Sequence, residues 1–426
     1  MFRNWSASRA VVLAVGSEML TPYRSDTNSL WLTERLNEIG IRVIHKAVVG
    51  DDRKALAAAL GYAMQHGDLV VTTGGLGPTE DDVTRETVAM VLNRSLEEDP
   101  GVTERIRSRF VRRGLEMPDI NRKQAFVPRG AVALPNRRGT APGLWIEHEE
   151  VGVLLLPGPP RELQPMFEEV AGTYLRPGSS GDRIFRKMLG ITGRTESYVE
   201  ELAQPIYSQW RPPRPLIETT VLAKPGQIEV HLSTNAANSE IAQRRLNEAA
   251  NELVDVLGED VVSSDGSKLE EVVGRLLEHS GLRLAVAESC TGGLVTSRLT
   301  DVPGSSEYVY MGWVLYSNDA KTELLGVESS LIRTYGAVSE AVAEAMASKA
   351  LERAGVDYGI GVTGVAGPGG GTSDKPVGTV CVALAGREKV QVRTFRFPGE
   401  RADVKFQTSQ AALDMLRRTL LSTGKP

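Results

Sequence analysis

Cysteine is nearly missing from this chain: Cys290 and Cys381 are the only two among 426 residues. Two thiols cannot build a disulfide framework, which predicts a reducing compartment. Histidine is scarce as well. His45, His66, His148, His231 and His279 are scattered, none three or four residues from another, and no cysteine pair has zinc spacing. The usual structural zinc motifs are therefore excluded. There is no basic excess: 49 Lys and Arg stand against 54 Asp and Glu, a net charge of −5, and aromatics make up only 5%. A surface that neutralises nucleic-acid phosphates and stacks bases is not indicated, so no direct nucleic-acid partner is expected. No apolar run approaches the ~18 residues of a membrane span. The Met1–Val15 stretch has two arginines and an apolar run too short for a signal h-region with a cleavage site. The combined expectation is a cytoplasmic protein with no membrane partner.

What is present is an ordinary globular balance, 41% hydrophobic and 24% charged, long enough for two or three domains. Short apolar strands alternate with helical spacing: strands over Arg9–Val15, Ile41–Val48, Asp68–Thr73 and Val151–Leu156, and helices over Asn28–Ile39, Arg53–His66 and Arg161–Val170. Continuous apolar strands between helices predict a parallel α/β sheet. Gly, Pro and Ser accumulate over Gly172–Asp182, a linker signal. Then follow a strand (Ile184–Ile191), a helix (Thr195–Tyr207), a Pro-rich turn (Arg211–Pro215) and two strands around Pro225-Gly226. A long helix (Ser239–Leu257) and a short strand (Val261–Ser263) complete a β-α-β-β-α-β order. Ser263–Ser267 marks a second boundary, and another α/β domain opens with a helix over Leu269–Gly281 and a strand over Arg283–Ala287. The fold class expected is α/β: two parallel-sheet α/β domains (1–172 and 267–424) joined by a small α+β domain (182–263).

The last domain carries the clearest chemical pattern. Ser289 follows a strand and opens the Gly-rich turn Ser289-Cys290-Thr291-Gly292-Gly293, with a helix expected from near Thr291. At the carboxyl end of a strand the serine points toward a ligand crevice, and the N–H groups of Cys290 to Gly293 could face an oxyanion. A serine hydroxyl needs a base. With no Ser–His–Asp arrangement visible, Lys321 is the candidate, because burial lowers a lysine toward neutrality. Tyr316, five residues earlier, could relay a proton or orient the amine. Thr363–Gly371 adds a glycine-dense loop rich in backbone N–H groups. Cys290 is a rival nucleophile, and the same residues also suit an N-cap and a turn.

In the first domain Gly74-Gly75-Leu76-Gly77-Pro78 follows a buried strand and suits phosphate. Asp81 and Asp82 just beyond are hard oxygen ligands for Mg²⁺ held through phosphates, although an acidic helix start would look the same. Between Glu104 and Arg138 ten basic residues meet three acidic ones. Arg105, Arg109, Arg112 and Arg113 share a helical face, either solvated or able to gather anionic nucleotide.

From Leu269 to Leu421 the chain resembles the C-terminal domain of the CinA (competence/damage-inducible protein A) family, through AESCTGGLVTSRLTDVPGSS, GWVLYSNDAKTELLGV, YGAVSEAVAEAMA and GVTGVAGPGGGTSDKPVGTV. The resemblance implies hydrolysis of nicotinamide mononucleotide to nicotinic acid mononucleotide and ammonia, with no cofactor in this domain. Ser289 would be the nucleophile and Lys321 and Tyr316 the assisting pair. Thr291, Gly292, Gly293, Thr363, Gly364 and Gly367 would help hold the nucleotide. The first domain is similar to that family's N-terminal domain, itself like molybdopterin-binding domains, through Ser25–Ser29, TTGGLGPTEDDVT, NRKQAFVP, Gly139–Gly143 and LLLPGPPREL. This implies an ADP-ribose pyrophosphatase using Mg²⁺ or another divalent cation, with K⁺ as a further candidate. Glu18, Asp26, Asp81 and Asp82 would hold the metal, with Asp81 and Asp82 also catalytic. Gly74, Gly75, Gly77, Asn28, Asn121 and Lys123 would hold the nucleotide. Thr21-Pro22-Tyr23-Arg24-Ser25 stands where the family usually has a Gly-containing link. The family also implies a homodimer. The alternative reading is a competence- or DNA-damage-linked interaction protein with a degenerate or pterin-binding first domain.

Overall fold

The computed structural model describes residues 5–177, 183–212 and 216–423. The chain divides into two compact units, Met1–Phe185 with Asn235–Gln243, and Arg186–Thr234 with Arg244–Pro426.

The first unit is built on β1 (Arg9–Val15), α1 (Asn28–Glu38), β2 (Arg42–Val49), α2 (Arg53–His66) and β3 (Leu69–Thr73). It continues through α3 (Thr84–Val91), α4 (Pro100–Val111), β4 (Val132–Leu134), β5 (Gly143–His148), β6 (Val151–Leu156) and α5 (Pro160–Thr173). The sheet order is β2-β1-β3-β6-β5-β4. The first four strands are parallel, but β5 runs antiparallel to β6, and β4 antiparallel to β5. The expected parallel sheet is present in its first four strands, and two antiparallel strands extend it into a mixed sheet. Glu149, with φ of 52°, turns the chain straight back between β5 and β6, so no crossover helix intervenes. Alternate residues of β1 serve opposite layers: Val11, Leu13 and Val15 pack with Leu56 and Leu60 of α2. Ala10 and Val12 pack with Leu32 of α1 and Phe167 of α5. Both faces of the sheet are thus covered, which is why these strands read as unbroken apolar runs. The start of α2 is set by Asp52, whose Oδ1 accepts from Ala55 N at 2.7 Å, and that of α4 by Asp99, which accepts from Val102 N at 3.0 Å ahead of Pro100. The expected linker begins later than its composition suggests. Helix α5 runs to Thr173 and Leu175–Pro177 is a strand; positions 178–182 lie outside the described residues, as does the 213–215 part of the Pro-rich turn.

The middle segment contains β7 (Arg183–Thr192), α6 (Glu196–Tyr207), β8 (Glu218–Lys224), β9 (Gln227–Ala236), α7 (Ser239–Leu257) and β10 (Val261–Ser263). Its sheet order is β8-β9-β7-β10, the β-α-β-β-α-β arrangement read from the sequence. Most of this segment belongs to the second compact unit rather than standing alone.

That unit continues with α8 (Leu269–Ser280), β11 (Leu284–Glu288), α9 (Leu294–Thr300), β12 (Val309–Val314), α10 (Ser329–Tyr335), α11 (Glu340–Ala354), β13 (Tyr358–Gly364), β14 (Thr379–Gly386), β15 (Val390–Arg396) and α12 (Arg401–Thr423). The order is β12-β11-β13-β14-β15, with β11 parallel to both neighbours and β14 antiparallel to both of its own. This sheet too is mixed rather than parallel throughout. Leu284 and Val286 face α8 and α12, whereas Ala285 and Ala287 face Val342 and Met346 of α11. Arg418 of α12 reaches Asp260 at 2.8 Å, and buried Arg417 donates to the carbonyls of Glu259 and Val261. These bonds tie the middle segment to the last helix and account for their shared unit.

Candidate functional sites

In the second unit β11 ends in register with its neighbours, Glu288 opposite Val314 and Val362. Ser289 N donates to Val362 O at 2.9 Å, and Leu315 N to Glu288 O at 2.7 Å. Ser289 therefore emerges at the carboxyl edge beside Leu315 and Thr363, on the floor of the site at 8% exposure. Lys321 begins a single π-turn, Lys321–Leu325. Its side chain is buried, and its Nζ donates to Leu315 O at 3.0 Å and Ser317 O at 3.3 Å. The ammonium is thus held at the residue flanking Ser289. Desolvation holds Lys321 below the ordinary lysine value, against a partial offset from Cys290. Burial pushes the Cys290 thiol up to about 12, despite Lys321 nearby. A thiol so protonated is a poor nucleophile, which weighs against the rival.

Glu288 was not anticipated. It is fully buried and accepts from Gly293 N (3.1 Å), Val295 N (3.0 Å), Thr296 N (2.9 Å) and Thr296 Oγ1 (2.7 Å). The first turn of α9, which starts at Leu294 rather than near Thr291, is filled by this carboxylate. Gly293 N is therefore unavailable to an oxyanion, and Gly292 N closes a turn on Ser289 O at 3.1 Å. Tyr316 is exposed, and its hydroxyl accepts from Arg401 Nη2 at 2.5 Å, so its observed partner is neither Ser289 nor Lys321. Arg401 Nη1 also donates to Gly367 O at 2.8 Å, fastening the glycine-dense loop to Tyr316. Thr291 and Gly367 are buried, and Thr363 is buried with its hydroxyl on Ala337 O at 2.8 Å. Thr363 and Gly367 are so tied into the framework, whereas Thr291 Oγ1 is buried without a hydrogen-bond partner; Gly292, Gly293 and Gly364 remain accessible. Arg401 lies 85 positions beyond Tyr316 and no local motif marks it, while Glu288 had a signal in its place immediately before Ser289.

In the first unit the carboxyl ends of β1, β3 and β6 open on a cavity of about 810 Å³. Glu18, Asn28, Gly74, Gly75, Gly77, Asp81 and Asp82 line it; Asp26, Asn121 and Lys123 do not. Gly75 needs its missing side chain, since its φ is +66° and a Cβ would lie 2.2 Å from Thr84 Oγ1. Asn28 Nδ2 donates to Thr73 Oγ1 at 2.9 Å and Gly158 O at 2.7 Å, joining two strand ends. Asp82 accepts from Gly77 N (2.7 Å), Thr79 N (2.9 Å) and Thr79 Oγ1 (2.5 Å). Its oxygens brace the loop instead of presenting an open ligand pair. Asp26 accepts from Ser29 N at 2.9 Å at the start of α1. Asn121 pairs with Gln124 at 3.0 Å, and Lys123 Nζ holds the carbonyls of Thr79 (2.7 Å) and Asp82 (3.0 Å). Arg122 is bound to Glu98 at 2.7 Å. Among the described residues no group of three or more His, Cys, Asp or Glu side chains is placed to hold a metal, so the four-carboxylate expectation is not met. Glu18 and exposed Asp81 still line one cavity. One or two carboxylates plus substrate phosphates suffice for Mg²⁺, so these two residues fit a phosphate-borne ion. Arg24, from the divergent loop, and Arg138 and Arg161 also line the cavity; sequence reasoning did not assign them to it. Among the described residues no helix is long and apolar enough to cross a membrane.

Ser289 and Lys321 at one sheet edge and a glycine-loop cavity at another belong to two α/β domains. The family model described as "CinA C-terminal domain" matches residues 266–420, and "Probable molybdopterin binding domain" matches residues 11–177. A CinA-like protein of Koribacter versatilis is 44% identical, covering 97% of this chain and 100% of that relative, and one of Acidobacterium capsulatum is 45% identical with the same coverage. The chain belongs to the CinA-like family. A solved competence/damage inducible protein from Agrobacterium tumefaciens is 40% identical, covering 37% of this chain and 99% of that one, with a TM-score of 0.35.

Proposed function

We propose that the C-terminal domain is a nicotinamide mononucleotide amidase working through Ser289 and Lys321. The observation that carries this reading is the buried Lys321 ammonium, held by Ser317 O and by Leu315 O, with Leu315 N in turn bonded to the carbonyl of Glu288 just before Ser289, and with its proton affinity lowered by desolvation. Neutral Lys321 takes the Ser289 proton as Oγ bonds to the carboxamide carbon. The tetrahedral adduct then collapses, breaking the C–N bond, and Lys321 returns the proton to departing ammonia. Water cleaves the resulting ester and releases the carboxylate product. Arg401 keeps Tyr316 and the Gly367 loop in one arrangement over the site. Ammonia release from nicotinamide mononucleotide tests the reading: Ser289→Ala should abolish it, and a fully active variant would remove Ser289 from the mechanism.

For the N-terminal domain the proposed activity is hydrolysis of ADP-ribose to AMP and ribose 5-phosphate. Glu18 and Asp81 would hold a divalent cation together with the substrate pyrophosphate; when bound, the ion supplies charge neutralisation at the phosphates. The chain's own part is to shape the Gly74–Gly77 loop, through Asp82 and Lys123, for a pyrophosphate. Product analysis with and without divalent metal tests it, and absence of turnover with any metal would refute it.

A further inference from the structure

A second cavity, of about 640 Å³, adjoins the first and shares Arg109, Gly139 and Thr140 with it. Its size suits a small-molecule site. The partition between them is built: Arg109 Nη1 and Nη2 donate to the carbonyls of Arg137 (3.0 Å) and Arg138 (2.5 Å). Asn136 Oδ1 accepts from Arg138 N (2.9 Å) and Gly139 N (2.7 Å). These bonds fix the loop against α4. The two cavities differ in charge. The first mixes arginines with Glu18, Asp51, Asp81, Asp82 and Glu162. The second is lined by Arg105, Arg109, Arg112 and Arg137, with Glu104 its single acid, and Glu104 is already paired with Arg107 at 2.9 Å. Without spare carboxylates this space has nothing to hold a phosphate-bridging metal. Its guanidinium groups are suited to bind a phosphate directly.

We propose that this cavity is a phosphate subsite, and that the N-terminal domain takes a pyrophosphate-bridged nucleotide carrying a third phosphate at one end. The inference rests on the pyrophosphatase reading: the bridging pyrophosphate occupies the Gly74–Gly77 cavity and the third phosphate passes the Arg109 partition. It adds that ADP-ribose itself leaves the second cavity unused.

The test is equilibrium binding to the full chain, in chelator, of ADP-ribose and of ADP-ribose 2′-phosphate. The wild type should bind the phosphorylated ligand about tenfold tighter or more, since a tenfold change is about 1.4 kcal/mol. In the Arg105→Gln/Arg112→Gln/Arg137→Gln variant the two affinities should become equal, with that for ADP-ribose unchanged. Arg107→Gln, outside the lining, should keep the preference. ADP-ribose binding without any gain from the extra phosphate, or a gain that survives the triple substitution, overturns the subsite alone. Failure to bind either ligand, both in chelator and again with a divalent cation supplied, overturns the underlying reading and the subsite with it. A short single-stranded oligonucleotide that binds more tightly than either, and is lost in the same variant, would overturn the assignment in favour of a nucleic-acid surface.

Discussion

Replacing Glu288 by Gln isolates the buried carboxylate behind Ser289. Four donors converge on it, three backbone N–H groups and the Thr296 hydroxyl, at 2.7–3.1 Å. Oε1 serves both Thr296 donors and Oε2 serves Gly293 and Val295. Glutamine keeps one oxygen, so either orientation of the amide turns an NH₂ toward donors. Two charge-assisted hydrogen bonds are then lost, at about 1.5–3 kcal/mol each. The favourable interaction with the helix start, up to about 2 kcal/mol, is also lost. Removing a buried charge returns several kcal/mol of desolvation, which leaves a net loss of roughly 2–4 kcal/mol. A unit of this size loses about 2–4 °C in Tm per kcal/mol, so calorimetry of the full chain should show the C-terminal transition falling by roughly 5–15 °C. Ammonia release measured well below that transition should also fall, because the turn after Ser289 is built on the same carboxylate. A Glu288→Gln protein whose Tm lies within ~1 °C of wild type would refute this reasoning.

Lys321 titrates below 10.5, and its neutral form is the base, so kcat/KM for the amidase should rise with pH through an inflection below that value; Lys321→Met should lower kcat at least ~100-fold. The unfolded chain holds this proton between the folded value and 10.5, so stability should rise with pH across that window, and denaturation of Lys321→Met should lack the rise. Cys290, raised from 9.0 to about 12, should react with thiol reagents ~1000-fold more slowly in the native protein than after unfolding; rapid labelling of the folded chain would contradict its burial. Asp81→Asn should suppress metal-dependent ADP-ribose hydrolysis without changing Tm. Asp82→Asn should instead destabilise the Gly77–Thr79 loop, by about 1–3 kcal/mol in denaturant titration.

Much of the architecture was legible because parallel strands buried on both faces leave continuous apolar runs. Arg9–Val15 and Val151–Leu156 are strands at the positions read from sequence. The antiparallel returns at Gly143–His148 and Val390–Arg396 were not read: such strands need only a tight turn, and their alternation is weak. The site motifs singled out Ser289 and Lys321, which the fold brings to the carboxyl edge of one sheet, but carboxylates were harder. Asp81 and Asp82 are adjacent and chemically alike, yet only folding gives Asp82 three loop donors and leaves Asp81 exposed.

The sequence by itself determined the α/β character and the positions of many strands and helices, because strand burial, helix spacing and glycine turns are local properties. Tertiary structure decided what each polar group does. It turned Glu288 into the anchor of α9, tied Tyr316 to Arg401, and separated an acid-containing cavity from an arginine-lined one. Those roles depend on which hydrogen-bond partners lie within 3 Å after distant segments meet, and spacing along the chain does not encode that distance.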